Sequence, residues 1–338
     1  MTQANIFLRP QRRFNFSAKL LALGLIAGAA VAAPLDRAWA DYPDHTITAI
    51  VPFGPGGSND IVGRLLSTYM AKSLGQPVIV VNKPGAGGNI GMQSLAQSKP
   101  DGYTICFVSS AATQNPALYR KMPYDPVNDM LPVAQTAEGP LIIAVKKDLP
   151  AKTLQEFIDL MKKNPGKLNA SSAGTSTQLA IELFNLQNNV TATIATYDGS
   201  GGAANSLLAG ETDYAIIDAL PLMGGLSSGG VRALAVAGEK RLASLPNVPT
   251  TKEAGSPNFL SSSPFGVYAP KGTPPEIVNK LNATLAEILK IPDVVERFST
   301  LGITPVAKTP AEFKAFYLSE VETWKKVVVA AKIPMFDD

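Results

Sequence analysis

Two residue types that carry much protein chemistry are nearly missing from this chain of 338 residues: it has one cysteine, Cys106, and one histidine, His45. A single cysteine excludes a disulfide within the chain and any zinc site built from cysteines. Cys106 lies inside an apolar strand pattern over 103–108 and reads as a buried, inert thiol. His45 alone could act as an imidazole base. Ser58, Ser172 and Ser200 sit on sharp turns, but none stands in a G-x-S-x-G pattern. The chain therefore reads as a non-enzyme, with no catalytic residue, no metal site and no cofactor. Excess charge is missing too. Five of the 30 cations and one of the 27 acids fall in residues 1–40, which leaves 25 cations against 26 acids in 41–338. That balance carries no nucleic-acid footprint. The apolar run over 20–33 has 14 residues, too few to span a bilayer.

What is present begins with that run. It follows a basic segment ending at Lys19 and precedes Ala38-Trp39-Ala40, a small-x-small cleavage pattern. The expectation is a signal peptide over 1–40, cleaved after Ala40, and a periplasmic protein that starts at Asp41. Gln11-Arg12-Arg13 with Phe16 is a partial twin-arginine pattern, with Asn15 where an apolar residue is preferred, so the export route stays open. A chain of this length can hold two domains with their own cores.

The stretch ITAIVPFGPGGSN over 47–59 organises the rest. A short apolar strand over 47–53 meets Gly54-Pro55-Gly56-Gly57, and a helix with Ile61, Val62, Leu65, Leu66 and Tyr69 follows, capped by Ser58 or Asn59. The first N–H groups of a helix have no internal partner, so a strand, a glycine turn and a helix start form an anion seat. Similar turns recur: PGAGGN over 84–89, SSAGTST over 171–177 and DGSGG over 198–202, with a polar loop SSAATQNP over 109–116. PGAGGN nearly imitates a dinucleotide fingerprint, but Ile90 occupies the third glycine position and no acid ends the next strand. Helices are expected over 153–163, 178–187, 274–290, 292–300 and 309–332, and strands over 76–82, 103–108, 193–197, 213–217, 231–237 and 265–269. The apolar stretch 133–145, broken at Glu138-Gly139-Pro140, reads as a crossing between domains. The alternation of strands and helices predicts parallel sheets. Tyr69, Phe157, Phe184, Phe313 and Phe316 are expected in cores, and Asp60 with Arg64 as a surface ion pair.

With these residues in view, the chain resembles the Bug receptors, the TctC-type extracytoplasmic solute-binding proteins of tripartite tricarboxylate transport. The resemblance rests on IVPFGPGGSNDIVGRLL (50–66), LGQPVIVVNKPGAGGNIG (74–91), KPDGYTI (99–105), NPALYRKMPYDPVND (115–129), LPNVPTTKEAG (245–255), APKGTPPEIVNKL (269–281) and TPAEFKAF (309–316), and it runs through nearly all of 41–338. It implies a periplasmic-binding-protein-like α/β fold, two α/β domains joined by crossing strands with the ligand cleft between them. Domain 1 would take 41–142 and 261–338, and domain 2 would take 143–260. It implies a small carboxylate ligand gripped by backbone amides and hydroxyls, and membrane permease subunits or a signalling sensor as partner. Site residues implied by it are Phe53, Gly56, Gly57, Ser58 and Asn59 in the first loop and Gly174, Thr175, Ser176 and Thr177 in the second. More loosely it implies Ala86, Gly87, Thr113, Asn115, Tyr197, Asp198, Gly199 and Asp218. The chain departs from the family pattern at Gln178, Asp198, Gly202 and Pro264. Asp198 stands where relatives often have Lys. With an effective dielectric near 20, two like charges about 6 Å apart cost roughly 3 kcal/mol, so one carboxylate and a neutral or cationic far end are expected of the ligand if Asp198 faces the cleft. The alternative is that Asp198 points to solvent and caps the helix entering at 199–203.

Overall fold

Short β-branched runs ended by glycine turns, alternating with amphipathic segments, give the local elements. The computed structural model describes residues 42–336, and the leader over 1–40 with its cleavage point lies outside the described residues. The strands are β1 (Ile47–Val51), β2 (Val78–Asn82), β3 (Thr104–Val108), β4 (Met130–Lys146), β5 (Asn169–Ser172), β6 (Thr193–Thr196), β7 (Tyr214–Asp218), β8 (Val231–Val236), β9 (Ser262–Pro270) and β10 (Thr304–Pro305). The helices are α1 (Ser58–Leu74), α2 (Asn89–Ala96), α3 (Ala111–Leu118), α4 (Leu154–Lys163), α5 (Thr175–Asn188), α6 (Ser200–Ala209), α7 (Met223–Ser228), α8 (Pro275–Ile288), α9 (Pro292–Thr300) and α10 (Pro310–Ala330).

The sheet is mixed, not parallel throughout. β2-β1-β3 and β7-β5-β6 are parallel sets, and between them β9 and β4 run antiparallel to their neighbours. β4 makes this possible. Its first part, through Pro140, pairs with β9, and from Leu141 it pairs with β7 and β8. The expected break at Glu138-Gly139-Pro140 is the point where one strand changes partners. Proline has no N–H to give a ladder, and here the ladder needs none. Two register shifts along the β4–β9 pairing bend the strand at Pro132/Ala134 and Gln135/Ala137. The result is two α/β lobes hung on one crossing strand and its partner β9.

Each lobe has its own core. Phe157, Phe184, Tyr214 and Phe259 pack into one cluster of the second lobe, with Phe157 and Tyr214 edge to face and their ring centroids 5.0 Å apart. In the first lobe Phe313 packs on Tyr268 at 5.2 Å. Two expected core residues are not in cores. Tyr69 is half-buried, its hydroxyl donating to Asp293, and Phe316 is half-buried with the Lys308 ammonium 4.6 Å from its ring centroid. Cys106 is fully buried in β3, and burial pushes its thiol far up. Of the loop read over 109–116, the residues from Ala111 on are in fact part of α3. Its polar residues Thr113, Gln114 and Asn115 are buried against other elements, which hides the periodicity a surface helix would show.

Candidate functional site

The glycine loop after β1 is shaped from behind by a buried acid. Asp60 accepts the Gly56 N–H at 3.0 Å, two bonds from Arg64 Nε at 2.9 and 3.0 Å, and one from Asn82 Nδ2 at 2.9 Å. Asn82 Nδ2 also donates to the Phe53 carbonyl at 2.9 Å, so the end of β2 holds the loop's first residue. This corrects the expectation of a surface pair: Arg64 is half-exposed, while the Asp60 side chain is only 5 % exposed. Burial raises the Asp60 carboxyl's affinity for a proton, but Arg64, the Gly56 N–H and Asn82 together outweigh it and hold the group below the usual carboxylate range.

The loop faces two more helix starts from the second lobe. The N-cap positions of α1, α5 and α6 are Gly57, Gly174 and Gly199, and none receives a side-chain cap. The expected caps Ser58 and Asn59 are instead the first residues inside α1. Away from the cleft, α4 and α10 begin with complete capping boxes, Thr153 with Glu156 and Thr309 with Glu312. Other helices also start without a side-chain cap, α7, α8 and α9 among them, so what sets α1, α5 and α6 apart is that their starts meet at the cleft. Their dipoles, and their first-turn N–H groups other than that of Ser58, make a region of positive potential without a cation.

The lobes touch across this region. The Ser58 N–H donates to Ser200 Oγ at 2.8 Å, and the two hydroxyl oxygens lie 3.0 Å apart. The Gly54 N–H donates to the Asp198 carbonyl at 2.7 Å. Thr175 Oγ1 donates to Asn115 Oδ1 at 2.6 Å, and Asn115 Nδ2 donates to the Gly87 carbonyl at 3.0 Å. Between the lobes lie an inner cavity of about 30 Å³ and an outer one of about 310 Å³, with Phe53, Gly174 and Thr175 lining both.

The residues expected from sequence divide between these spaces. Phe53, Gly57, Ser58, Asn59, Gly174, Thr175, Ser176, Thr177, Gly199 and Asp218 line the inner cavity. Ala86, Gly87, Tyr197 and Asp198 line the outer one. Three line neither. Gly56 is tied to Asp60, Thr113 Oγ1 donates to the Ser110 carbonyl at 3.0 Å, and Asn115 stands behind as the link between Thr175 and Gly87. Thr177 lines the cavity, but its hydroxyl already accepts the Ala173 N–H at 2.6 Å and so shapes the turn. The side chain of Asp198 is exposed and caps nothing; its carbonyl makes the contact.

Residues that sequence reasoning did not single out as ligand contacts also line the site. Ser109, Ser200 and Ser263 join the inner cavity, and Gly85, Gly88, Tyr119, Gln178, Thr196 and Phe336 the outer one. Ser200 lies inside the DGSGG turn and could have been read from it. Ser263 and Phe336 arrive from distant chain segments with no local signal. Three buried atoms of the inner lining have no hydrogen-bond partner: Asn59 Oδ1, Ser176 Oγ and Asp218 Oδ1. Buried polar groups are normally paired, so these point to a ligand or water they are built to meet.

Because the Thr175 hydroxyl serves Asn115, Thr175→Val deletes a contact between lobes and strands a buried amide oxygen. The expected result is a loss of about 1.5–2.5 kcal/mol of closure, read as a roughly ten- to seventyfold weaker ligand affinity by calorimetry, with an unchanged far-ultraviolet spectrum. Affinity within twofold of the parent would show that this bond does not hold the closed form.

The profile of the tripartite tricarboxylate transporter family receptor, TctC, matches residues 62–333. The chain is 38 % identical over 320 residues to Protein BugT of Bordetella pertussis, covering 93 % of this chain and 97 % of that one. Its fold matches that of Rpa4515 from R. palustris solved with adipate, at a TM-score of 0.84 and 32 % identity over 87 % of this chain and 100 % of the other. It also matches MatC (Rpa3494) from Rhodopseudomonas palustris with bound malate, at a TM-score of 0.81 and 34 % identity over 85 % of this chain and 100 % of that one. The chain belongs to the tripartite tricarboxylate transporter receptor family, the TctC or Bug type of periplasmic solute-binding protein.

Proposed function

We propose that this protein captures a small solute through a carboxylate seated between its two lobes and delivers it to the membrane subunits of a tripartite tricarboxylate-type permease. One observation carries the reading: three uncapped helix N-termini from both lobes converge on a closed cavity whose lining includes unpartnered polar atoms and no cation. Such a seat favours a carboxylate by oriented N–H groups alone. The bound adipate and malate of the two structural neighbours are consistent with it. On this reading the first-lobe grip is Phe53 and Gly57–Asn59, the second-lobe grip is Gly174–Ser176 with Gly199, and the far end of the ligand enters the outer cavity. We place the lobes at 41–142 with 261–338 and at 143–260, because β4 changes partners at Leu141 and the Leu141 N–H bonds the Ser261 carbonyl. We also propose that the leader is removed after Ala40.

The test is a thermal-shift and calorimetric panel of adipate, its monoamide and malate, with neutral sugars and amines as controls. A carboxylate at a hundred times its Kd should stabilise the protein by about 2.7 kcal/mol. Asp198 adds a preference within the panel. It is exposed at the outer cavity, so its repulsion of a second carboxylate is close to the water-like value of about 1 kcal/mol. The monoamide should bind about fivefold tighter than adipate, and Asp198→Asn should close that gap. Stabilisation by sugars or amines and by no carboxylate would refute the proposed function.

A further inference from the structure

Asp218 ends β7 at the floor of the inner cavity. It is 7 % exposed, its Oδ1 has no partner, and it is the only ionisable residue in the lining. The other polar groups lining the cavity are uncharged, among them Ser58 and Asn59 from α1, Ser176 and Thr177 from α5, Ser200 from α6 and Ser263 from β9. Asp60, the acid in the first turn of α1, is engaged by Arg64, Asn82 and the Gly56 N–H. His45, the only imidazole, is exposed and bonded to Asp44. Asp218 thus has no cation to balance it, in a cavity otherwise suited to an anion.

The size of the cavity decides what balances it. A space of about 30 Å³ holds a water or two, or the head of one carboxylate. One such head fills it, and any other group of the ligand extends toward the outer cavity. A ligand carboxylate that reaches the helix starts therefore lies against Asp218, and two touching carboxylates in a dry site cannot both stay ionised. Resting on the carboxylate reading above, we propose that Asp218 takes up one proton from solvent as the ligand binds, so that its carboxyl O–H donates to the ligand carboxylate. The proton comes from the buffer and returns to it on release, and no other bond changes. Burial already pushes the Asp218 carboxyl upward, with the Ser263 and Ser58 hydroxyls pulling it partly back. A carboxyl donor there satisfies the lone Oδ1 and leaves the seat electrically neutral toward its guest.

The experiment is calorimetric titration of the mature chain with adipate, its monoamide and malate from pH 5 to 9, each in two buffers of different ionisation heat. The expected result is uptake approaching one proton per ligand in the alkaline range, with affinity falling about tenfold per pH unit there. Asp218→Asn, which presents a permanent N–H donor in the same shape, should bind with no proton uptake and a flat pH profile. Binding by the parent protein with no uptake and no pH dependence across the range overturns the proton step while leaving the carboxylate seat standing. Loss of binding in folded Asp218→Asn also overturns it, since Asp218 would then act as an ionised acceptor. Failure of every carboxylate to bind at any pH overturns the receptor reading, and the proton step with it.

Discussion

Gly201→Ala should give a folded protein that binds its solute at least a hundredfold more weakly. A Cβ built on Gly201 would stand 2.9 Å from the carbonyl carbon of Gly56, 2.9 Å from the Pro55 carbonyl oxygen and 3.0 Å from the Gly57 nitrogen. All three are backbone atoms of the opposite lobe, so no side chain can rotate away. The lobes must part, and the bonds from the Ser58 and Gly54 N–H groups to Ser200 and Asp198 part with them. Losing these, together with the ligand contacts of one face, costs about 3 kcal/mol or more, which is the hundredfold. The fold has no reason to suffer, because Ala suits the first turn of α6 better than Gly does. Gly57→Val makes the same clash from the other side, against Ser200 Oγ at 3.1 Å and the Gly201 nitrogen at 3.3 Å. Gly224→Ala is the control. It sits in α7, its Cβ would meet nothing within 4 Å, and binding should be unchanged. Calorimetry reads the affinity and a thermal melt the fold. An affinity for Gly201→Ala within threefold of the parent would mean that binding does not require this closure.

Asp60→Ala should be the most destabilising change of a charged residue near the cleft. The side chain is almost wholly buried and joins the glycine loop, α1 and β2 through four hydrogen bonds. Removing it leaves the Gly56 N–H without its acceptor, Asn82 with only the Phe53 carbonyl to donate to, and Arg64 without its ion-pair partner, held only by Asn82 Oδ1. The half-exposed guanidinium can rehydrate, which keeps the expected cost near 3 kcal/mol, at the low end for a broken buried pair. For a chain of this size that lowers Tm by about 5 °C. The pH dependence has a definite sign. Arg64, the Gly56 N–H and Asn82 hold the Asp60 carboxyl below its unfolded value near 4, despite its burial. Its contribution is therefore complete above that value and disappears as pH falls through the lower, folded one. Parent and variant should thus converge in stability toward pH 2. A loss under about 0.5 kcal/mol at pH 7 would return Asp60 to the status of a solvated surface pair.

What could be read from sequence was what is local. The glycine loop over 54–57 and the turns at 171–177 and 198–202 announce helix starts by composition, and those starts do face the cleft. The polarity of α3 misled because its polar residues are buried by α10 and α5, a tertiary fact. Asp60 misled for the same reason: an i,i+4 pair with Arg64 looks like a surface pair until β2 is laid over it. Parallel strands were inferred from alternation, which cannot reveal that β9 returns from residue 262 to enter the middle of the sheet. Ser263 comes with that strand, and no pattern near it marks a cavity. Ser200, Ser109, Gly85 and Gly88 were unassigned residues that the recognised turns and loop themselves offered. The capping boxes of α4 and α10 were visible, since Thr153 and Thr309 carry their Glu three places on.

The return of β9 also sets an order of manufacture. β3 pairs with β1 on one edge and β9 on the other. A chain stopped anywhere short of residue 262 has made β1, β2 and β3 but leaves the second edge of β3 bare. The strands of the second lobe, β5 to β8, are complete by residue 236 and need nothing later to pair. From the end of β3 at residue 108 until β9 has been added from residue 262, a growing chain carries an open, apolar strand edge that could join a neighbouring chain instead of its own. A chain kept unfolded until its last residue is made never presents that edge alone.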